Sequence, residues 1–230
     1  MEYTSYTSNQ LSFSKYLSKC FLWMFLGLLA SFATAAIFSY SGLFYNIFMN
    51  MGMSFVIISS IVEIILVLSL ASSIGKLNSK KALTLFFIYS IINGMTLSSI
   101  FYAYELTSII YVFLGSAAIF GIMALVGYTT ELDLSKLRVF IPIALICLLV
   151  MGIILTFSFS ETAYTIYSLI GIGLFMIITT YDIHIIKRMY YSTSSINEQN
   201  SLAIYGALQL YLDFINIFLH LLALLARNKD

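Results

Sequence analysis

Seven stretches of roughly twenty mostly apolar residues, separated by short links that hold most of the charges, leave this chain few ways to fold. They run approximately Cys20–Tyr40, Met51–Ile74, Ala82–Tyr104, Thr107–Tyr128, Val139–Ser158, Thr162–Ile183 and Leu202–Ala226. Hydrocarbon offers the backbone no hydrogen-bond partner, so stretches of this length cross a bilayer as helices. Composition agrees: 61% of residues are hydrophobic and 9% charged, against roughly 45–50% and 25% in soluble domains. The expected fold is all-α, a seven-transmembrane-helix bundle covering residues 16–230, preceded by a polar tail over residues 1–15.

Basic residues orient the bundle. With the N-terminus in the cytosol, Lys15 and Lys19, then Lys76, Lys80 and Lys81, then Lys136 and Arg138, then Lys187 and Arg188 all fall on the cytosolic side. The opposite links, around Ser41–Asn50, Glu105 and Ser160–Glu161, carry no Lys or Arg, and only Arg227 and Lys229 fall outside. The sequence therefore predicts an N-in, C-out multi-pass protein, and a bacterial plasma membrane is the expected location. Lys15 and Lys19 followed by an apolar run and Ala33-Thr34-Ala35 also have the form of a secretory signal, but the apolar run continues past that site to Phe38, which suits a retained span. Glu105 and the Leu-Thr-Ser after it mark the turn between the third and fourth spans, and the sixth helix has the option of continuing through Lys187 and Arg188. Ala117 with Gly121, and Gly171 with Gly173, predict close helix contacts. Pro142 reads as a first-turn proline.

Several function classes are excluded or disfavoured. A net charge of +1 provides no basic patch for nucleic acid. Two histidines and two cysteines, Cys20 and Cys147, without ligand spacing, are too few for an ordinary zinc site. No nucleophile elbow is written, so the chain is expected not to be an enzyme and to need no cofactor.

The polar residues inside the spans are more informative. A carboxylate at the centre of a membrane helix costs at least ~2.5–3.5 kcal/mol on insertion scales and usually faces a protein interior. Glu63, Asp182 and Asp213 sit inside or at the edge of such helices. In the seventh span Gln209, Asp213, Asn216 and His220 follow one another by four, three and four residues, which places them on one stripe. Tyr205 extends that stripe, and a helix otherwise apolar all round belongs at the centre of the bundle. Thr179 and Asp182 share a face of the sixth span, and Asn93 and Thr96 share one in the third. Simpler roles exist for most of these. Asp182 at a helix end suits solvation or pairing with Lys187 or Arg188, Asn93 and Thr96 suit structural hydrogen bonds, His184 suits the interface, and His220 suits a bundle hydrogen bond. Asp213 has no basic residue in its own span, so its charge is met elsewhere or its proton retained.

The run Tyr205-Gly-Ala-Leu-Gln-Leu-Tyr-Leu-Asp213-Phe-Ile-Asn216-Ile-Phe-Leu219 resembles the last-helix signature of the Bax inhibitor-1-like, or transmembrane Bax inhibitor motif, family. Thr180-Tyr181-Asp182-Ile183-His184-Ile185-Ile186-Lys187 is similar to its sixth-helix motif, and Tyr89 to Ser98 fits its third helix. The resemblance implies seven helices around a central last one, and a pH-sensitive calcium leak whose proton sensor and gate are two aspartates, here Asp182 and Asp213. The same pair would touch calcium weakly and transiently, as the permeant ion. Glu63 matches the family's acidic path residue, with Gln209 and Asn216 along the path and His184 and His220 as possible pH modulators. His184 stands where family members usually have Gln, and only Lys76 is placed to act as the basic partner some members carry near the second helix. Two carboxylates at hydrogen-bond distance cannot both ionise cheaply, so they share a proton and bias a two-state arrangement. The implied partners are the lipid bilayer, calcium ions and protons. A second class of function is regulation of a membrane-bound protease through binding, with the tail Glu2 to Ser14 as the handle.

Overall fold

Ser12 opens the first helix by accepting the Lys15 N–H on its hydroxyl oxygen at 3.4 Å, and from there the chain is almost wholly helical. The computed structural model describes residues 12–72, 79–155, 157, 160–193 and 195–225, with backbone alone at 71 and 72. Lys76 and nearly all of the N-terminal tail, on which the basic-partner and handle readings fall, lie outside the described residues, as do Arg227 and Lys229. The elements are α1 (Phe13–Tyr40), α2 (Leu43–Met51), α3 (Met53–Ser72), α4 (Ser79–Leu97), α5 (Ile100–Ala103), α6 (Leu106–Thr129), α7 (Leu137–Leu155), α8 (Glu161–Tyr191) and α9 (Ile196–Leu225). Seven stretches are long and apolar enough to span a membrane, with α4 and α5 together making the third. α9 is the most enclosed, with 61% of its apolar window buried against 39% for the next, which makes it the central helix.

Several boundaries move. α1 begins at Phe13, α8 runs on to Tyr191, and α9 starts at Ile196, so these helices extend beyond the apolar core that hydropathy outlines. Glu105 is the N-cap residue of α6 in extended conformation, and the Leu-Thr-Ser expected in the turn is already helical. Pro142 lies inside α7, past the first turn, so the Arg138 carbonyl loses its usual amide partner.

By their contacts the residues divide into two units, Met1–Ser99 with Ile186–Leu208, and Ile100–Ile185 with Gln209–Asp230. In the first, α4 packs on both α1 and α3. The α1–α4 approach is close because Gly94 has no side chain: a Cβ there would lie 2.5 Å from the Ser31 carbonyl oxygen. Beside it the Ser31 hydroxyl donates to the Ser90 carbonyl at 2.6 Å. Lys19 Nζ donates to Asn200 Oδ1 at 2.7 Å, and the Ser79 and Ser201 hydroxyls meet at 3.1 Å, so the first turns of α9 are tied to α1 and α4. The short α2 is bounded by Gly42 and Gly52, whose φ of 71° and 56° only glycine adopts without strain. Phe44, its buried residue, meets Phe48 at 5.8 Å and Phe55 at 6.1 Å.

In the second unit α6 and α8 touch backbone to backbone at Gly127, where a Cβ would lie 2.6 Å from the Thr180 carbonyl oxygen. Phe113 and Phe120 of α6 meet Phe214 of α9 edge-on, with centroids at 5.0 and 5.8 Å. Gly121 and Gly173, expected at helix contacts, have nothing near a would-be Cβ, whereas Gly171 is covered by the His220 ring. α7 is peripheral, with Leu148 and Leu155 its buried side chains.

Candidate functional site

The second unit brings Asp182 and Asp213 together. Thr179 and Asp182 stand one turn apart on α8, and Asp213 faces them from α9, near enough for the two carboxyls to act on each other electrostatically. Both are enclosed, with 7% of Asp182 and 2% of Asp213 exposed. No basic side chain among the described residues acts on either, so the pairing of Asp182 with Lys187 or Arg188 is not formed. Asp213 Oδ2 is buried without a hydrogen-bond partner.

Thr179, which the sequence places on one face with Asp182, is fully buried and bonds in two directions. Its Oγ1 lies 2.8 Å from the Phe175 carbonyl oxygen and is also hydrogen-bonded to the Asp213 carboxyl. A hydroxyl has a single hydrogen to give. That hydrogen is therefore shared between the Phe175 carbonyl oxygen and the Asp213 carboxyl.

The four-residue polar stripe of α9 proves to be two. Asp213 and His220 are buried, whereas Gln209 and Asn216 are half-exposed along with Leu212 and Leu219. The side chains rotate by about 40–60° between successive members of the pattern, enough to separate an enclosed line from an open one. Asn216 Nδ2 donates to the Leu212 carbonyl at 2.8 Å, and Gln209 Oε1 is a buried oxygen with no donor. His220 is held by rings rather than by the bundle hydrogen bond its polarity suggests: Tyr167 lies 5.0 Å away edge-on and Phe175 6.0 Å away.

His184, half-buried on α8, faces Asp133 of the link between α6 and α7. The Ser135 backbone N–H donates to Asp133 Oδ1 at 2.9 Å and holds that exposed carboxyl below the usual range, with Lys136 and His184 adding weaker attraction. This contact is absent from any motif, because it depends on how the link folds back.

In the first unit Glu63 of α3 is clasped by α4. Asn93 Nδ2 donates to its Oε2 at 3.1 Å and Thr96 Oγ1 to its Oε1 at 2.6 Å. The Thr96 hydroxyl also lies 3.0 Å from the Ile92 carbonyl, so its hydrogen is shared. Asn93 and Thr96, which read as structural, are the direct partners of the carboxylate. Two of its four lone-pair positions remain open.

Among the described residues no three of His, Cys, Asp and Glu gather in one place. The oxygen-rich points are therefore small: the carboxyl pair with the Thr179 hydroxyl, and the clasped Glu63.

Comparison with known proteins places this arrangement. An uncharacterized protein of Borreliella burgdorferi is 33% identical over 218 residues, covering 94% of each chain. The inner membrane protein YbhL of Escherichia coli K12 is 34% identical over 216 residues, covering 93% of this chain and 92% of its own. An uncharacterized membrane protein of Streptococcus pyogenes serotype M1 is 40% identical over 170 residues, 74% of this chain and 73% of its own. The family model described as inhibitor of apoptosis-promoting Bax1 matches residues 13–230. With its seven apolar helices and the Asp182 and Asp213 helices at the end of that match, the chain belongs to the Bax inhibitor-1 family of membrane proteins.

Proposed function

We propose that this protein is a pH-sensitive calcium leak rather than an enzyme, with Asp182 and Asp213 as proton sensor and gate. The observation that carries the reading is the meeting of two enclosed carboxyls on α8 and α9 with no basic side chain among the described residues acting on them. Charge in such a place is costly, and a proton held between the two removes part of it. Loss of that proton leaves two like charges facing each other and biases the α8–α9 contact towards a second arrangement.

Calcium is the substrate of the leak. Glu63, Gln209 and Asn216 supply oxygens along its route, and the carboxyl pair touches it transiently, since tight coordination would prevent exit. His184 and His220 act as secondary pH modulators. The membrane is a bacterial plasma membrane, with the N-terminus in the cytosol. The inner-membrane designation of the Escherichia coli relative supports the first point and the distribution of Lys and Arg the second.

Purified protein in liposomes containing a calcium dye provides the test. Calcium entry should vary with pH in the wild type and lose most of that variation in Asp182→Asn and Asp213→Asn. Vesicles that admit no calcium at any pH would overturn the reading.

A further inference from the structure

Basic residues are matched by acidic ones in one unit and not in the other. In the second unit, the link between α6 and α7 sets Glu131 and Asp133 beside Lys136 and Arg138. In the first unit, Lys15 and Lys19 of α1, Lys80 and Lys81 of α4, and Lys187 and Arg188 of α8 all lie at helix ends. Against them, among the described residues, stands one carboxylate, Glu198 of α9, which accepts the Thr193 hydroxyl. The unit's other described acid, Glu63, is held in mid-span by Asn93 and Thr96. Retention of positive charge during insertion acts on both units alike, so it does not account for the difference.

Contacts gather these bases at one end of the first unit. Lys19 Nζ donates to Asn200 Oδ1 at 2.7 Å, and at the next residue the Ser201 hydroxyl meets that of Ser79, directly before Lys80 and Lys81. α8 joins through rings: Tyr190 lies 5.2 Å and Tyr191 6.1 Å from Phe13, and Lys187 and Arg188 stand within about one turn of those tyrosines. The half-buried Lys19 has a neutral partner where a carboxylate would be expected. Its ammonium has three hydrogens, and with Oδ1 engaged the Asn200 amide offers its Nδ2 as a further donor.

We propose that this end of the first unit is a binding surface for an anionic phospholipid. Lys19 and Asn200 hold the headgroup phosphodiester, and the exposed Lys15, Lys81 and Arg188 attract it from the rim. Two features fit a lipid better than a soluble anion. Aromatic rings such as those of Phe13, Tyr190 and Tyr191 belong at headgroup level. Below Lys15 on the same face of α1 come Leu22 and Leu29, seven and fourteen residues on and both exposed, a track for an acyl chain. A zwitterionic lipid carries its own ammonium, which the lysines repel, so the surface discriminates by charge. It uses neither Glu63 nor the Asp182–Asp213 pair and stands whether or not calcium passes.

Trp23, the sole tryptophan, is one turn from Lys19 on α1 and transfers its excitation to a pyrene-labelled lipid. In neutral detergent, pyrene-labelled phosphatidylglycerol should quench Trp23 at a concentration at least about fivefold below that of pyrene-labelled phosphatidylcholine. The triple variant Lys15→Gln, Lys81→Gln, Arg188→Gln should lose this preference, and the triple variant Lys15→Arg, Lys81→Arg, Arg188→Lys should keep it. Lys136→Gln with Arg138→Gln, in the balanced link, should leave it unchanged. Lys19→Gln should weaken phosphatidylglycerol by about fivefold. Equal quenching by the two lipids, or a preference that survives the neutral triple variant, overturns the proposal. Equal loss in the Lys136 and Arg138 variant overturns it too, since net charge would then suffice. Displacement of the labelled lipid by millimolar glycerol phosphate would reassign the surface to a soluble anion and overturn the lipid as occupant. Should the neutral triple variant fail to fold, phosphatidylglycerol affinity equal to the wild type in Lys19→Gln overturns the proposal in its place.

Discussion

Asp213 is a single carboxyl beside one hydroxyl, one other carboxyl and, among the described residues, no cation, so the proposed sensor couples its protonation to that of Asp182. Coupled groups respond together. Measuring the leak across pH in Asp182→Asn, Asp213→Asn and the double variant therefore should give non-additive effects, with the pH response flattened in each single variant. Additive effects, with the pH response surviving in the double variant, would pass the sensor role to another group, His184 first. Glu63 makes a contrasting prediction, because its partners are neutral donors. Glu63→Gln places an amide N–H against the Asn93 or Thr96 donor, and should lower thermal stability by about 1 kcal/mol and calcium entry at every pH. Entry equal to the wild type would reduce Glu63 to an interhelical hydrogen bond. The acidic residues themselves are legible in the sequence, because a carboxylate stands out in an apolar helix. Their partners are not: Thr179 is 34 positions from Asp213 and Asn93 is 30 from Glu63, and whether they meet depends on how each helix is rotated about its axis.

At the scale of elements, hydropathy locates each span, but it marks where the bilayer is and not where the helix ends. α8 keeps its hydrogen bonding through Lys187 and Arg188 to Tyr191, and α9 begins among the polar residues Asn197 to Ser201, since helix geometry continues wherever no breaker or competing cap intervenes. Glycine spacing is still less informative. Gly121 and Gly127 are both in α6, yet only Gly127 faces a neighbouring backbone, at Thr180. The difference is measurable. Gly127→Ala, and likewise Gly94→Ala against Ser31, forces two helices apart and should lower stability by about 1–3 kcal/mol in detergent melting experiments. Gly121→Ala should stay within about 0.5 kcal/mol of the wild type. Equal losses at Gly121 and Gly127 would contradict the α6–α8 contact.

At the scale of the molecule, an odd number of crossings places the two ends of the chain on opposite faces of the membrane. The hydrogen bonds of the first unit agree with that alternation. Lys19 near the start of the first span bonds Asn200 at the start of the seventh, and Ser79 at the start of the third meets Ser201. Phe13 lies 5.2 Å from Tyr190, at the end of the sixth span. These starts and ends carry Lys15, Lys19, Lys80, Lys81, Lys187 and Arg188, so the basic residues that sequence alone assigns to one face are also neighbours in the fold. Positive residues are retained in the cytosol during insertion. Reporter fusions after Ser135 should therefore read cytosol, and fusions after Asn46 and at the C-terminus should read outside. Truncated fusions test each crossing separately, since every one must reverse the signal of the one before. A C-terminal fusion reading cytosol while the earlier ones behave as expected would mean that α9 fails to cross, and Asp213 would then sit at the end of a re-entrant segment instead of inside a transmembrane helix.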